Sequence, residues 1–236
     1  MRSYKIKRIK ERIFFLKKIN VRLFVYLNYF CKNIIRTDCS KIIPYKNAII
    51  ELETNARIYV GGGDIEIGCA QIRKSKTETR IRLRNQSIWR STGGCKISYG
   101  STIELLNSAI LDTRYFTVNS FSTLVTAKKM VLGQDVMIGR EVILYDSDFH
   151  SLLDANGKSI NFSKPVILDD HVWVGARSMI MKGTKIGKNS VIGAGTIVKG
   201  EIPENVICHM VPEEIIHMKK EKGTWSRKKP EEETIV

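Results

Sequence analysis

Residues 165–198 read PVILDDHVWVGARSMIMKGTKIGKNSVIGAGTIV, with an aliphatic side chain at every sixth position: Leu168, Val174, Ile180, Ile186, Ile192 and Val198. Followed backwards, the same step meets Leu132, Ile138 and Leu144. Four residues after each aliphatic stand Val136, Val142, Asp148, Val172, Ser178, Thr184, Ser190, Thr196 and Ile202, small or β-branched except for Asp148. Glycine follows the aliphatic at Gly133, Gly139, Gly175, Gly187 and Gly193. A helix repeats at 3.6 residues and a strand at two, so neither has a reason to repeat at six. A six-residue unit is one short strand and one turn, and three units close a coil of about eighteen residues. The aliphatic is expected to fill the centre of a thin prism, the smaller residue a corner, and the glycine a bend that wants backbone freedom. The fold class this implies is all-β, a parallel β-helix.

Upstream of the repeat, residues 47–130 hold short period-two pieces such as Ile50/Leu52, Ile58/Val60, Ile65/Ile67, Ile81/Leu83, Ile103/Leu105 and Phe116/Val118. Many short strands with no helical stretch between them say all-β without saying which architecture. Residues 1 to about 36 read instead as an amphipathic helix: Ile6, Ile9, Ile13, Leu16, Leu23, Leu27 and Phe30 share one face, with Asn20 as the polar break. Pro44 stops any helix before the strands begin. Residues 1–46 carry thirteen Lys or Arg against Glu11 and Asp38, a net +11 of the chain's +15. Charge confined to one arm suggests an arm with its own partner, not a nucleic-acid-binding domain. That helix either packs on the main domain or on itself, or lays its basic face on anionic lipid headgroups. The expected division is a basic helical arm at 1–46, the β-helix at 47–216 and a charged tail at 217–236. The five scattered cysteines form no metal-ligand spacing and suggest a reducing compartment. No stretch approaches the roughly 20 apolar residues of a membrane span. The chain is therefore expected in the cytoplasm, at most peripheral at the inner face of the cytoplasmic membrane.

The repeat breaks in one place. Counting by six assigns inward slots to Asp148 and His150, and neither a carboxylate nor an imidazole enters a narrow apolar prism without heavy desolvation cost. The chain must leave the coil here. Residues 151–164 (SLLDANGKSINFSK) have lost the repeat and contain an N-G turn, so they are expected as an extruded loop with His150 at its root. A loop root on a rigid scaffold is good placement for catalysis.

The run DSDFHS, the following NG, and KPVILDDHVWVGARSMIMKGTKIGKNSVIGAGTIV resemble the acetyl-CoA-dependent hexapeptide acyltransferases. Within them, the short loop after the histidine and the HVW tripeptide are most similar to O-acetyltransferases of capsular and other surface polysaccharides, including sialic acid capsules. The resemblance implies a left-handed coil, a homotrimer, and active sites in clefts between neighbouring prisms. It matches His150 to the catalytic histidine and Trp173 to a tryptophan beside the reacting acetyl group. It matches Gly175-Ala176 and Gly193-Ala194 to the backbone-lined groove for the pantetheine arm of acetyl-CoA. Ala176 and Ala194 lie one coil apart, as do Lys164 and Lys182; Lys182 and Lys199 are candidate cations for the CoA phosphates. The sequence departs from the family near its end. HMVPEEII puts Met210 where a glycine is usual and Glu214 where a basic residue is usual, and KGEIP (Lys199 to Pro203) replaces T-K-D-x-P.

An alcohol attacking a thioester needs a base for its proton and a donor for the developing oxyanion. Histidine suits the first task, as the side chain whose charge changes near neutral pH. His150 is the expected base in a direct transfer, oriented by Asp148 or Asp146, with Tyr145, Asp146 and Ser147 as acceptor contacts and no metal. The expected activity is transfer of acetyl from acetyl-CoA to a sugar hydroxyl of a capsular or other cell-surface polysaccharide or its precursor. Alternatives are N-acetylation of an amino-sugar nucleotide, O-acetylation of a small soluble acceptor, a zinc-dependent hydratase (which needs three converging histidines) and a non-catalytic scaffold.

Overall fold

The computed structural model describes residues 16–210 and 224–226, and most of that length winds as a left-handed parallel β-helix. Its strands stack in three parallel sheets of eight, eight and seven strands, one on each face of a triangular prism. The first face runs from Ile34–Arg36 to Glu201–Ile202, the second from Ile42–Pro44 to Ile207–Cys208, and the third from Ala48–Leu52 to Ile197–Val198. All nine repeat aliphatics from Leu132 to Val198 are buried in the prism. The small slot explains itself once coils are stacked. Ser178, Thr184 and Ser190 are buried, and their hydroxyls donate to the carbonyls of Gly193, Val198 and Pro203 in the next coil, at 2.8, 3.1 and 2.8 Å. These three hydroxyls are tolerated in the core because each has an acceptor.

The glycines after the aliphatics serve a different purpose from the one expected. None of Gly133, Gly139, Gly175, Gly187 and Gly193 has a positive φ; the left-handed corner residues are Asp135, Glu141, Arg177 and Asn189, two positions later. A Cβ on Gly139 would sit 2.7 Å from the Val174 carbonyl oxygen, and one on Gly175 would sit 2.6 Å from the Ala194 amide nitrogen. Glycine is there because adjacent coils stack too closely for a side chain.

Coil length explains why the repeat fades upstream. On the third face, Ala48 pairs with Thr79 (31 positions on), Arg80 with Thr102 (22), Thr102 with Thr123 (21) and Thr123 with Ile143 (20). Only later does the step become 18, from Met179 to Ile197. On this face the early strands have four or five residues, and the wider coils have room for larger fillers. Trp89 and Phe116 are fully buried there, and the Trp89 Nε1–H donates to Thr113 Oγ1 at 3.1 Å.

The single helix expected over 1–36 is corrected by the structure. Its first fifteen residues lie outside the described ones. Within the rest, the chain breaks at Ile19, which bridges to Tyr45, and restarts as an α-helix at Val21–Val25 that continues as a π-helical turn at Tyr26–Phe30. The polar break has a reason: Asn20 is the N-cap, its side chain accepting from the Leu23 amide at 3.1 Å. The chain is already β by Ile34, twelve residues before the expected boundary at 46. Ile19, Leu27 and Cys31 are buried against the end of the prism. Asn28 acts as a substitute strand there, donating to the Ile42 carbonyl at 2.7 Å and accepting from the Ile42 amide at 3.0 Å. An open solenoid end exposes apolar core and unpaired edges, and this helix covers both.

Candidate active site

The coil opens after the third-face strand Ile143–Tyr145. Asp146 is fully buried, and its carboxylate turns to the coil below. There it accepts three backbone N–H bonds, from Ala127 at 2.6 Å, Lys128 at 2.8 Å and Lys129 at 2.7 Å. Burial pushes this carboxyl above its ordinary range, while the three amides pull it back. The chain returns where the Lys164 amide donates to the Asp146 carbonyl at 3.0 Å. Across the neck, Ser163 Oγ donates to Ser147 Oγ at 2.9 Å. Extrusion thus begins at Ser147, four residues before the expected start. Ile143 pairs with Met179, 36 positions on, so the extruded segment adds one whole coil period. Counting by six therefore survived the loop, and Asp148 and His150 received inward slots by arithmetic alone. In space Asp148 is half-buried and His150 exposed.

His150 is presented by a tight turn. Its amide donates to the Asp148 carbonyl at 2.8 Å across Phe149, which sits at φ +64°. A positive φ in a bulky residue at the centre of a three-residue turn is strained, and such strain persists only where neighbours impose it. Here the Phe149 ring meets Tyr145 edge-on at 5.1 Å, and the Phe149 amide donates to Ser147 Oγ at 3.0 Å. Asp148 Oδ2 accepts from Lys182 Nζ at 2.6 Å and from Asn161 Nδ2 at 2.8 Å. Asn161 Nδ2 also donates to the His150 carbonyl at 2.8 Å, and Lys182 Nζ to the Asn161 carbonyl at 2.9 Å. Beyond His150 the loop is a hairpin: Ser151–Leu153 bridges back to Ser159. Thr224–Ser226 adds an antiparallel strand on the outer side of Ser151–Leu153, so the expected charged tail includes a piece that pairs with this loop.

Three expected roles change as a result. Lys182, its side chain 11% exposed, is spent on Asp148 and Asn161 and is not an outward cation for CoA phosphates. Asp146 and Ser147 are buried in the neck, where Asp146 holds the corner of the coil below, and neither faces an acceptor. Asn161, which sequence reasoning passed over, pins the backbone of His150. Only its burial reveals it, since SINFS contains nothing that sets it apart.

The remaining candidates lie elsewhere on the prism. Trp173 is on the second face, 47% exposed, stacked between Met137 and Val191. Ala176 and Ala194 are exposed at the edge between second and third faces, joined by the Gly195 amide donating to the Ala176 carbonyl at 2.8 Å. Lys164 and Lys199 are exposed at the opposite edge of the third face, the edge that also carries the His150 loop. One chain therefore gathers Tyr145, Asp148, His150, Asn161 and Lys182 but leaves Trp173 on the face opposite that edge. Among the described residues, no three His, Cys, Asp or Glu side chains gather as metal ligands.

Comparison with known proteins supports the expected resemblance. Residues 165–200 match the family described as bacterial transferase hexapeptide (six repeats). The galactoside O-acetyltransferase of Escherichia coli K12 is 36% identical over 121 residues, covering 50% of this chain and 55% of that protein. The polysialic acid O-acetyltransferase of Escherichia coli O1:K1 / APEC is 36% identical over 130 residues, covering 54% of this chain and 41% of that protein. The chain spans about half the length of the curated relatives it matches. Among solved structures, the polySia specific acetyltransferase NeuO superposes with a TM-score of 0.45 at 24% identity, over 84% of this chain and 91% of that one.

Proposed function

We propose that this hexapeptide-repeat chain is an acetyl-CoA-dependent O-acetyltransferase acting on a sugar hydroxyl of a capsular or other cell-surface polysaccharide, or its precursor. The observation that carries the reading is the His150 turn: an exposed imidazole on a strained turn, braced by Asn161, Lys182 and Asp148 on a rigid coil. Acetyl-CoA supplies an activated acyl group, so the protein has to deprotonate the hydroxyl and hold both partners in place. His150 takes the hydroxyl proton as the oxygen bonds to the acetyl carbon; the carbon–sulfur bond then breaks, and the departing CoA thiolate takes that proton from His150 and leaves as the thiol. Gly175-Ala176 and Gly193-Ala194 offer a ledge with nothing larger than a methyl group, against which a pantetheine arm lies on backbone. Lys164 and Lys199 stand on the other edge of the third face, so they reach the phosphates of a CoA lying on this ledge only from a neighbouring copy.

A site that uses both His150 and Trp173 needs two copies of the chain, since one prism holds them on opposite sides. Met137, Trp173, Ile197 and Ile207 leave apolar surface exposed on the second and third faces, suited to contact between prisms. The proposed assembly is a homotrimer with a cleft at each contact; light scattering of a fully active monomer would remove it. In the arm, no described helix is long and apolar enough to cross a membrane. Leu16, Val21, Val25, Tyr26, Tyr29 and Phe30 are exposed beside basic residues, which supports peripheral attachment of residues 1–36 to anionic lipid.

The direct test supplies acetyl-CoA with hydroxyl-bearing capsule fractions and with amino-sugar nucleotides, follows thiol release, and maps the acetyl group by mass spectrometry. An ester on the saccharide is expected. Thiol release with the amino-sugar nucleotides alone, yielding an amide, overturns the proposal in favour of N-acetylation.

A further inference from the structure

At the N-terminal end of the prism, on the edge between second and third faces, lies a groove of about 830 Å³ lined by Lys17, Lys18, Lys46, Arg73, Lys74 and Lys76. All six are exposed, and no Asp or Glu among the described residues lines it. None of the ion pairs among the described residues involves Lys17, Lys46, Arg73, Lys74 or Lys76. The groove is built from three chain segments tied to one another. The Lys46 amide donates to the Lys18 carbonyl at 2.9 Å, and Asn47 Nδ2 donates to the Ser75 carbonyl at 3.2 Å. Gln71 Nε2 donates to the same carbonyl at 3.1 Å, closing the 70–76 segment on itself. That segment helps make the 31-residue step between Ala48 and Thr79, the longest step on this face apart from the one that holds the His150 loop.

Lys17, Lys46, Arg73, Lys74 and Lys76 put five like charges on one concave surface, where they repel each other and an anion relieves that cost. A single small anion needs two or three converging donors; five cations along a groove of this size suit a ligand with repeated charge. We infer that this groove docks an extended polyanionic saccharide, with a carboxylate or phosphate on successive sugars. The inference rests on the proposed activity in one respect: the docked chain is the acceptor. Along the prism axis the groove lies three to four coils from the His150 turn, roughly 14 to 19 Å at about 4.8 Å per strand spacing, and it stands on the opposite edge of the third face, a span that an extended polymer bridges. A polymer held there keeps its other sugars near the site by raising their effective concentration.

The test uses the full chain and the variant R73Q/K74Q/K76Q, with equal melting temperatures as the control for folding. Binding of long oligogalacturonate is measured against neutral dextran and against phosphatidylglycerol vesicles. The variant is expected to bind oligogalacturonate about tenfold more weakly, the size that three exposed ion pairs together supply. Its dependence on salt should be shallower, with dextran unbound throughout and vesicle binding unchanged. With an acetylatable anionic polymer, KM rises by a similar factor while kcat and the KM for acetyl-CoA stay put. Wild-type binding of oligogalacturonate by the variant overturns the groove, and so does a loss confined to vesicles. If wild type transfers no acetyl group yet the variant loses oligogalacturonate binding, the groove stands and the proposed activity falls.

Discussion

Substituting His150 with alanine lowers turnover by about 10²–10⁴-fold, the range for losing a positioned general base. The affinity for acetyl-CoA and the melting temperature stay close to wild type, because the imidazole is exposed and the turn beneath it is held by other groups. Asn161 grips the His150 carbonyl, and Phe149 and Asp148 lock the turn through Tyr145, Ser147 and Lys182; none of these contacts uses the imidazole. Single-turnover transfer to a purified acceptor, with a thermal melt beside it, separates the roles. A variant that melts several degrees lower but transfers at the wild-type rate per folded molecule makes His150 a structural residue and removes the mechanism.

Asp146→Ala has the second large effect, and it falls on stability. The substitution leaves the amides of Ala127, Lys128 and Lys129 without the carboxylate that accepts them at 2.6 to 2.8 Å. Hydrogen bonds to a charged acceptor each contribute about 1.5–3 kcal/mol net. Part of this is offset by removing a carboxylate that burial disfavours, which leaves a loss of about 3 kcal/mol. For a chain of this size that is roughly 6–12 °C in Tm. Asp146→Asn keeps one acceptor oxygen but turns an NH₂ toward an amide N–H, so it recovers only part of the loss. If Asp146 contacted the acceptor, as its place before His150 suggested, the alanine variant would raise the acceptor KM and leave Tm unchanged.

These two carboxylates mark where sequence reasoning stopped. Asp146 and Asp148 look alike in YDSDFH. Burial and three amides make one a brace for the coil below, while Lys182 and Asn161 make the other a support for the His150 turn. Lys182 misled for a similar reason. Its eighteen-residue spacing from Lys164 is a true statement about stacking, but spacing says nothing about which way a long side chain turns. It folds inward, where its ammonium finds two acceptors at once, the Asp148 carboxylate at 2.6 Å and the Asn161 carbonyl at 2.9 Å.

From Leu132 onward the sequence alone determined the coil, because an inward slot in a thin prism admits only an aliphatic group and recurs every six residues. It also determined that the chain breaks out near His150, since the prism cannot solvate an imidazole. Tertiary structure decided the rest. Coils of 31 to 20 residues upstream keep the period-two burial of each strand but no fixed spacing between strands, so their stacking shows only when the strands pair. The helix at 21–30 became a cap because the solenoid has an open end to cover. The corner glycines are required by the distance to the next coil, a quantity absent from the sequence. The separation of Trp173 from His150 follows from the triangular section of the prism, which places residues on opposite sides however near they stand in sequence.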